Sequence, residues 1–502
     1  MTKTFLLSVA FTALLLAGCS REEPPRSEST QAEADTQAPS PGSPKAGSEQ
    51  ATIEASIIPA VTIDGEARQT LRERMVTYNA PQVSVAVYRN GALDWTKGYG
   101  EGTDAETLFQ AASLSKVVAA TGIVALASEL GVSLDEDISG DLEGVDQSKL
   151  NPEGVVITLR MLLSHTNGAT VSGFPGYAAG EAVPTNLEVV TGSERTNTDP
   201  VTIAANPEGK FSYAGGGYQL AQLWAEQASG EDFTALMDRL ILNPVGMKQS
   251  TFAQPLSADM ASGNVAPAYE GNGDPVEGGW HTYPEQAAAG LWTTPEDYGR
   301  FVMALIGAMN GESGTGISPE VATEVVRPVS EDYGLGIGVE MSEWTDGGEI
   351  VLRHSGSNKG YKTYFEAWPE RGDAIVVMTG ADGAYPLNAD IVRTAKQAYG
   401  WPMGPVRTRA RHDLDEDALE QLSGAYIMAA DGEQYFTIER DGQDLTLTTR
   451  RGAVYRMVPV EEYVFIDPND GEEAAFKTDG NTVTVSLSGT VFEQAPEDRQ
   501  SD

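Results

Sequence analysis

The chain carries a single cysteine, Cys19, among 502 residues, so an intrachain disulfide is excluded. Histidine is almost as scarce: His165, His281, His354 and His412 are the whole set. They lie far apart, and none stands in an H-E-x-x-H pattern, which argues against a zinc hydrolase. No metal or other cofactor is expected. Cations are few as well, with 33 Lys and Arg against 73 Asp and Glu, a formal net charge of −40. Such a surface argues against nucleic acid as a partner and against electrostatic docking on anionic lipid. An anionic substrate would need local positive charge at its site. No G-x-S-x-G elbow is present, so the usual α/β-hydrolase arrangement fails. The glycine-rich Tyr333-Gly-Leu-Gly-Ile-Gly338 lacks the G-x-G-x-x-G spacing of a dinucleotide loop and reads as a strand.

What the chain does contain begins with a processing signal. Lys3 precedes an apolar run, Phe5 to Leu16, that is too short to span a bilayer comfortably. Leu16-Ala17-Gly18-Cys19 resembles the lipobox of bacterial lipoproteins. That resemblance implies a signal peptide over residues 1–18, cleavage before Cys19 and lipidation of Cys19. The membrane would then be a partner through an N-terminal lipid anchor. Ser20 follows the cysteine in place of Asp, which in the enteric pattern leans towards the outer membrane, on its periplasmic face. Residues 19–59 are rich in Glu, Ser, Ala, Gln and Pro and poor in large apolar side chains. They are expected to form a disordered tether.

The remainder divides into a body over residues 60–404 and a smaller unit over 413–495. Hydrophobic residues at 40% and charged residues at 21% fit a soluble globular body. Gly65 to Tyr78 has helical spacing, Gln82 to Tyr88 and Leu93 to Tyr99 alternate as strands, and Asn90-Gly91 is a hairpin turn between them. Phe109-Gln-Ala-Ala-Ser113-Leu-Ser-Lys116 then ends a strand and opens an apolar helix. Ser113 and Lys116 share one helix face, so the two side chains can meet. A serine hydroxyl becomes a nucleophile when a neighbouring base takes its proton, and a lysine serves as that base where burial disfavours its charged form. Ser113 also sits at the helix N-terminus, which favours a developing oxyanion. A serine cap with a solvated lysine one turn on is the bland reading of the same residues.

Three later stretches bear on that choice. Leu162 to Gly168 contains Ser164-His165. Adjacent residues point in different directions, so His165 is expected to satisfy backbone groups at a helix end. Tyr213 stands before Ala214-Gly215-Gly-Gly-Tyr218. A phenol held between a serine and a lysine can relay a proton to a leaving group, and a core aromatic before a glycine turn would look the same. Glu349 to His354, Gly360 to Trp368 and Ala374 to Thr379 read as an antiparallel meander. His354-Ser-Gly356-Ser357 ends its first strand. There a histidine either reaches over a cleft or is a hydrogen-bonded edge residue. Lys359 and Lys362 could add positive charge, although solvated lysines have the same pattern.

Ser113-x-x-Lys116, Tyr213-x-Gly215 and His354-x-Gly356 stand in the order of the serine β-lactamase and penicillin-binding-protein superfamily. The chain resembles its branch of class C β-lactamases, D,D-peptidases and esterases from about Val61 to Tyr399. Asn243-Pro-Val-Gly-Met247 and Ala289-Gly-Leu-Trp-Thr-Thr-Pro-Glu-Asp297 add to the resemblance. It implies an α+β fold, an antiparallel sheet flanked by helices beside a helical subdomain. It implies Ser113 as the acylated nucleophile, Lys116 as general base and Tyr213 as an assistant in proton transfer. His354 would replace the lysine of the third motif. Gly356 and Gly215 would stand at substrate-binding positions, and the backbone N–H groups of Ser113 and Ser357 would form the oxyanion hole. The second motif departs from the family's Y-x-N, since Gly215 has no side chain to hold Lys116 or a substrate amide. That change argues against an efficient β-lactamase.

Leu419 to Phe492 alternates in short segments and resembles the lipocalin-like β domain attached to some related hydrolases, a small antiparallel barrel or sandwich. The expectation for the whole is an envelope-tethered serine hydrolase acting through an acyl-enzyme on the amide, ester or β-lactam carbonyl of a small-molecule or peptide substrate. A non-catalytic lipoprotein that binds cell-wall fragments is the alternative.

Overall fold

The computed structural model describes residues 47–206, 209–330, 332–345, 348–428, 432–450, 454–480 and 482–496. The signal segment, Cys19 and the expected tether as far as residue 46 lie outside the described residues. The stretch that follows is ordered. Ser48–Ala55 is a helix, and Ile53, Ile57 and Ile58 are buried. Glu54 accepts hydrogen bonds from Lys97 Nζ at 2.8 Å and Tyr99 O–H at 3.0 Å. A tether that stays disordered to residue 59 is thus corrected: the isoleucines give this segment an apolar face to bury.

The strands run in order β1 Val61–Ile63, β2 Val83–Arg89, β3 Ala92–Tyr99, β4 Phe109–Gln110, β5 Trp292–Thr293, β6 Gly338–Met341, β7 Ile350–Asn358, β8 Tyr361–Trp368, β9 Asp373–Thr379 and β10 Arg407–Arg409. A six-stranded sheet forms in the order β3-β2-β9-β8-β7-β6, antiparallel throughout. Its strands β2 and β9 are buried along nearly their whole length, which explains their near-continuous apolar runs. On one face Pro295–Met309 packs on β2 and β9, with Ser115–Leu130 at the centre of the largest core. On the other face lie Tyr385–Tyr399 and Ser48–Ala55. The segment Ala112–Leu130 is long and apolar enough to cross a membrane, yet it contains the central helix of the body and is mostly buried.

Local signals explain the element ends. The helix expected over residues 65–78 starts only at Leu71, because Thr70 and Glu73 cap each other's backbone N–H groups. The residues before it form β1, which pairs in parallel with β10 in the connector. Of Tyr333–Gly338 only Gly338, the first residue of β6, lies in a strand, contrary to the pattern. The chain turns at Gly336, with φ at +78°, where a side chain would come within 2.7 Å of Lys116 O.

The C-terminal unit is a closed antiparallel barrel of Gly424–Ile427, Gln434–Asp441, Asp444–Thr449, Val454–Glu461, Val464–Ile466, Glu473–Asp479, Thr482–Leu487 and Thr490–Gln494, β11 to β18 in order. The expected run of short strands is therefore present, except that Leu419 belongs to the Glu416–Gln421 helix instead. Alternate residues point inward, and Tyr426, Phe436, Phe465 and Phe476 fill the centre.

Candidate active site

The nucleophile segment is shaped by its backbone. After β4 pairs with β5, Ala111 N–H donates to Leu291 O at 2.8 Å. The chain then turns at Ala112, whose φ of +51° is costly for any residue with a Cβ. Two contacts hold that turn. Thr363 Oγ1 donates to Ala111 O at 2.8 Å, and Gly356 on β7 lies directly against it. A side chain at 356 would come within 2.5 Å of Ala111 O and 3.0 Å of Ala112 Cβ, so only glycine lets β7 approach the turn. A single 3₁₀ turn over Ala112–Leu114 leads into Ser115–Leu130. Ser113 therefore stands in the first turn, where backbone N–H groups lack intrahelical acceptors.

Lys116 lies beneath it, 2% exposed, with Nζ 3.1 Å from Ser113 Oγ. Nζ also donates to Ala288 O at 2.8 Å and sits over the rings of Tyr213 and Tyr218 at 5.1 and 5.5 Å. The bland reading of a solvated lysine is excluded. Ala288 O was not found from the sequence. Its signal is the small-residue run Gln286–Ala289, which lets that short helix press against Ser115–Leu130 and Gly215–Ser229. Asn358 closes the same corner, donating from Nδ2 to Gln110 Oε1 at 2.7 Å and Ala289 O at 3.1 Å.

His165 has the structural role its position suggested. Its Nδ1 accepts from Ala214 N–H at 3.1 Å, and its carbonyl accepts from Ser212 N–H at 2.8 Å. The loop that carries Tyr213 is pinned from both sides, with the Tyr213 ring 4.3 Å from the imidazole. Burial, with the charge of Lys116 added, pushes the His165 pKa well below the usual histidine range. The ring is neutral, with its proton on Nε2.

His354 is also neutral. Burial pushes its pKa down to about 3, with Lys116 nearby as the second cause. Its Nδ1 is 2.7 Å from Ser355 O, a carbonyl that can only accept, so the proton is on Nδ1. Nε2 then accepts from Tyr333 O–H at 3.0 Å. The Tyr333 phenol stays protonated, since burial raises its pKa well above the usual value. Both ring nitrogens are thus occupied. Tyr333 is a second residue the sequence did not mark.

A cleft of about 550 Å³ opens over these groups, lined by Ser113, Tyr213, Tyr333, His354, Gly356 and Ser357 among others. Ser357 pairs with Lys362 of β8, while β6 flanks β7 only as far as Arg353, which leaves the Ser357 side of β7 open. Gly215 does not line the cleft, so a substrate-binding place for it is corrected. A side chain there would meet the Phe174 ring at 2.6 Å; Phe174 occupies the room of the missing amide. Lys359 and Lys362 do not line it either. Lys362 pairs with Asp382 at 2.9 Å, and Lys359 with Glu270 and Asp382. Among the described residues no cluster of three or more His, Cys, Asp or Glu side chains is placed to hold a metal ion.

A six-stranded antiparallel sheet between helical layers, with a serine and a buried lysine at the head of the central helix, defines a β-lactamase-like fold. The family model named Beta-lactamase matches residues 67–399, and the chain belongs to that family. "Protein flp" of Staphylococcus aureus strain MW2 is 23% identical over 331 residues, which are 61% of this chain and 60% of that protein. The chain thus spans 60% of the length of this curated relative. The octameric penicillin-binding protein homologue from Pyrococcus abyssi aligns with 84% of this chain and 98% of its own, at 20% identity and a TM-score of 0.55. The D-amino acid amidase from Ochrobactrum anthropi SV3, in its complex with L-phenylalanine amide, aligns with 70% of this chain and 98% of its own, at 18% identity and a TM-score of 0.53. A class C beta-lactamase aligns with 71% and 97% at 19% identity and a TM-score of 0.51. These likenesses establish the fold.

Proposed function

We propose that the protein is a serine hydrolase that works through an acyl-enzyme. The observation that carries this reading is the 3.1 Å approach of Lys116 Nζ to Ser113 Oγ, with the lysine buried. Ser113 Oγ attacks the carbonyl carbon and its proton passes to Lys116 as the general base. The N–H groups of Ser113 and Ser357 receive the oxyanion. Tyr213, its ring 5.1 Å from Nζ, hands the proton to the leaving oxygen or nitrogen as that bond breaks. Water, deprotonated by the same base, then attacks the ester, and the acid leaves as Ser113 recovers its proton.

The neutral, fully bonded His354 offers no charge to a substrate carboxylate beside the scissile bond. Uncharged ester and amide groups therefore suit this cleft better than β-lactams. Because an amidase and a β-lactamase share the fold, both reagent types belong in the test. Lipidation of Cys19 would hold the enzyme at the periplasmic face of the outer membrane, a reading supported by Leu16-Ala17-Gly18-Cys19; Cys19→Ala should release the protein from the membrane fraction.

Intact mass after exposure to an activated short-chain ester and, separately, to a penicillin tests the nucleophile. An acyl adduct is expected with the ester, and none with Ser113→Ala. Lys116→Ala should lower ester turnover by about 10³-fold. An adduct that persists in Ser113→Ala, or the absence of both adduct and turnover, would move the binding-protein alternative ahead.

A further inference from the structure

A second cavity adjoins the cleft. Its volume is about 450 Å³, and it shares Arg353, Tyr364 and Tyr385 with the cleft over Ser113. From there it runs between the Tyr385–Tyr399 helix and connector residues 403–407 as far as Asp470 of the barrel unit. Two large aromatics on its wall are exposed, Trp344 at 55% and Tyr385 at 42%. The Trp344 ring lies over Gly404, where a side chain would come within 2.9 Å of it. Glycine in the connector therefore lets the ring form the wall.

The charge of this cavity runs against that of the chain. Four cations and two carboxylates line it, in a protein with 33 cationic and 73 acidic residues. Most of these cations are committed. Arg353 donates from Nε to Glu340 at 2.7 Å, Lys396 pairs with Glu366, and Arg393 donates to Asp390 at 2.7 Å and to Ile58 O at 3.0 Å. Arg407 differs. Its contact with Glu473 is 3.7 Å, beyond hydrogen-bond reach, and among the described residues its guanidinium makes no hydrogen bond. Asp470, the nearby carboxylate on the same wall, accepts from Glu472 N–H at 2.8 Å. A planar guanidinium fork that holds only this loose ion pair and no hydrogen bond is suited to one carboxylate held by two parallel hydrogen bonds.

We propose that this cavity is a second binding subsite, for the far end of an elongated acyl substrate: an apolar or aromatic segment against Trp344 and Tyr385 and a single carboxylate on Arg407. The proposal rests on the serine-hydrolase reading for the reacting end. It places charge recognition at the junction with the barrel instead of at His354, and it gives the C-terminal unit a part in substrate choice.

The test uses the full chain and three p-nitrophenyl esters. One is the acetate. The second is the mono-ester of a dicarboxylic acid with a phenylene ring between its ends, and the third is that compound with its free carboxylate capped as a methyl ester. One charge-assisted hydrogen-bonded pair predicts a preference in kcat/KM of about tenfold for the carboxylate over the capped ester. Arg407→Ala should remove that preference, and Trp344→Ala should lower kcat/KM for both long esters severalfold. Neither change should alter hydrolysis of the acetate. Equal kcat/KM for the two long esters with the unaltered protein overturns the subsite while leaving the hydrolase standing. If acetate hydrolysis does not depend on Ser113, the hydrolase reading fails instead. Calorimetric binding of the free diacid to Ser113→Ala then decides the subsite. Affinity weakened about tenfold by a further Arg407→Ala supports it, and unchanged affinity overturns it.

Discussion

His354 shows how one residue type changes a site. Where the family motif has a lysine, an imidazole stands with both nitrogens bonded and burial keeping it uncharged. Its folded pKa of about 3 lies below its ordinary 6.5, so the neutral form is the one the fold prefers. The stability this contributes is present above pH 6.5 and is lost as pH falls from there towards 3. Urea unfolding between pH 7 and pH 4 should therefore show an acid loss that His354→Gln reduces by on the order of 2 kcal/mol. An equal loss in both proteins would contradict the assignment. Gly215 makes the opposite point, a deletion filled by a neighbour. Gly215→Asn restores the family's side chain but collides with Phe174, and overpacking of this kind costs about 1–3 kcal/mol. Phe174→Ala in the same chain should recover most of that loss, a non-additivity readable by urea unfolding. The serine–lysine pair was legible because helical spacing alone puts the two side chains on one face. Tyr333 and Phe174 were not, because each reaches its partner through tertiary contact that no local period encodes.

Elements set the distances on which those residues depend. The turn at Ala112 and the strand β7 are held together at Gly356, and their separation decides whether the N–H groups of Ser113 and Ser357 can converge on one oxygen. Gly356→Ala must part them. The expected result is a fall in kcat of about 10²-fold for a short ester, with KM changed far less. A KM effect alone would mean that the two elements do not share an oxyanion. A second element carries a buried acid. Glu285, before the Gln286–Ala289 helix, is fully buried, and neither carboxylate oxygen has a hydrogen-bond partner among the described residues. Burial raises its pKa to about 8. For a raised acid the fold prefers the protonated form, so stability is present below the ordinary 4.5 and declines as pH rises towards 8. Glu285→Gln should flatten that decline, by several kcal/mol at pH 8 on an order-of-magnitude basis, in unfolding measured at pH 5 and pH 8. The sequence read most strands well, because alternation and the Asn90-Gly91 turn are local signals. It misread Tyr333–Gly338, where the conformation of Gly336 answers to Lys116 on another element. It also misread residues 48–59, where three isoleucines outweigh a polar composition.

At the scale of the whole molecule, residues 46–502 form one compact unit, and the barrel is tied into it by several kinds of contact. β1 pairs with β10, Val61 N–H donates to Pro468 O at 3.0 Å, and Val61 and Ile63 pack with Val458 and Ile466. Glu66 takes hydrogen bonds from Arg411 at 2.7 Å and from Arg456 at 2.6 Å and 2.9 Å. Arg74 is the buried member of this joint. It donates from Nε to Asp390 at 3.1 Å, from Nη2 to Tyr78 O–H at 2.7 Å, and from Nη1 to Asn469 of the barrel at 2.6 Å. Asp390 is fully buried, and burial raises its pKa, so its negative charge depends on Arg74 and Arg393. With so many groups shared across the junction, body and barrel should melt as one cooperative transition in calorimetry. Arg74→Ala leaves Asp390 short of a partner and frees the Asn469 loop at the same time. Loss of one partner of a buried pair costs about 3–5 kcal/mol, so the midpoint should fall by several degrees. Two resolved transitions in the unaltered protein would show that the barrel is an independent appendage. A single transition that Arg74→Ala splits or lowers would show that the cavity ending at Asp470 is built between parts that hold each other in place.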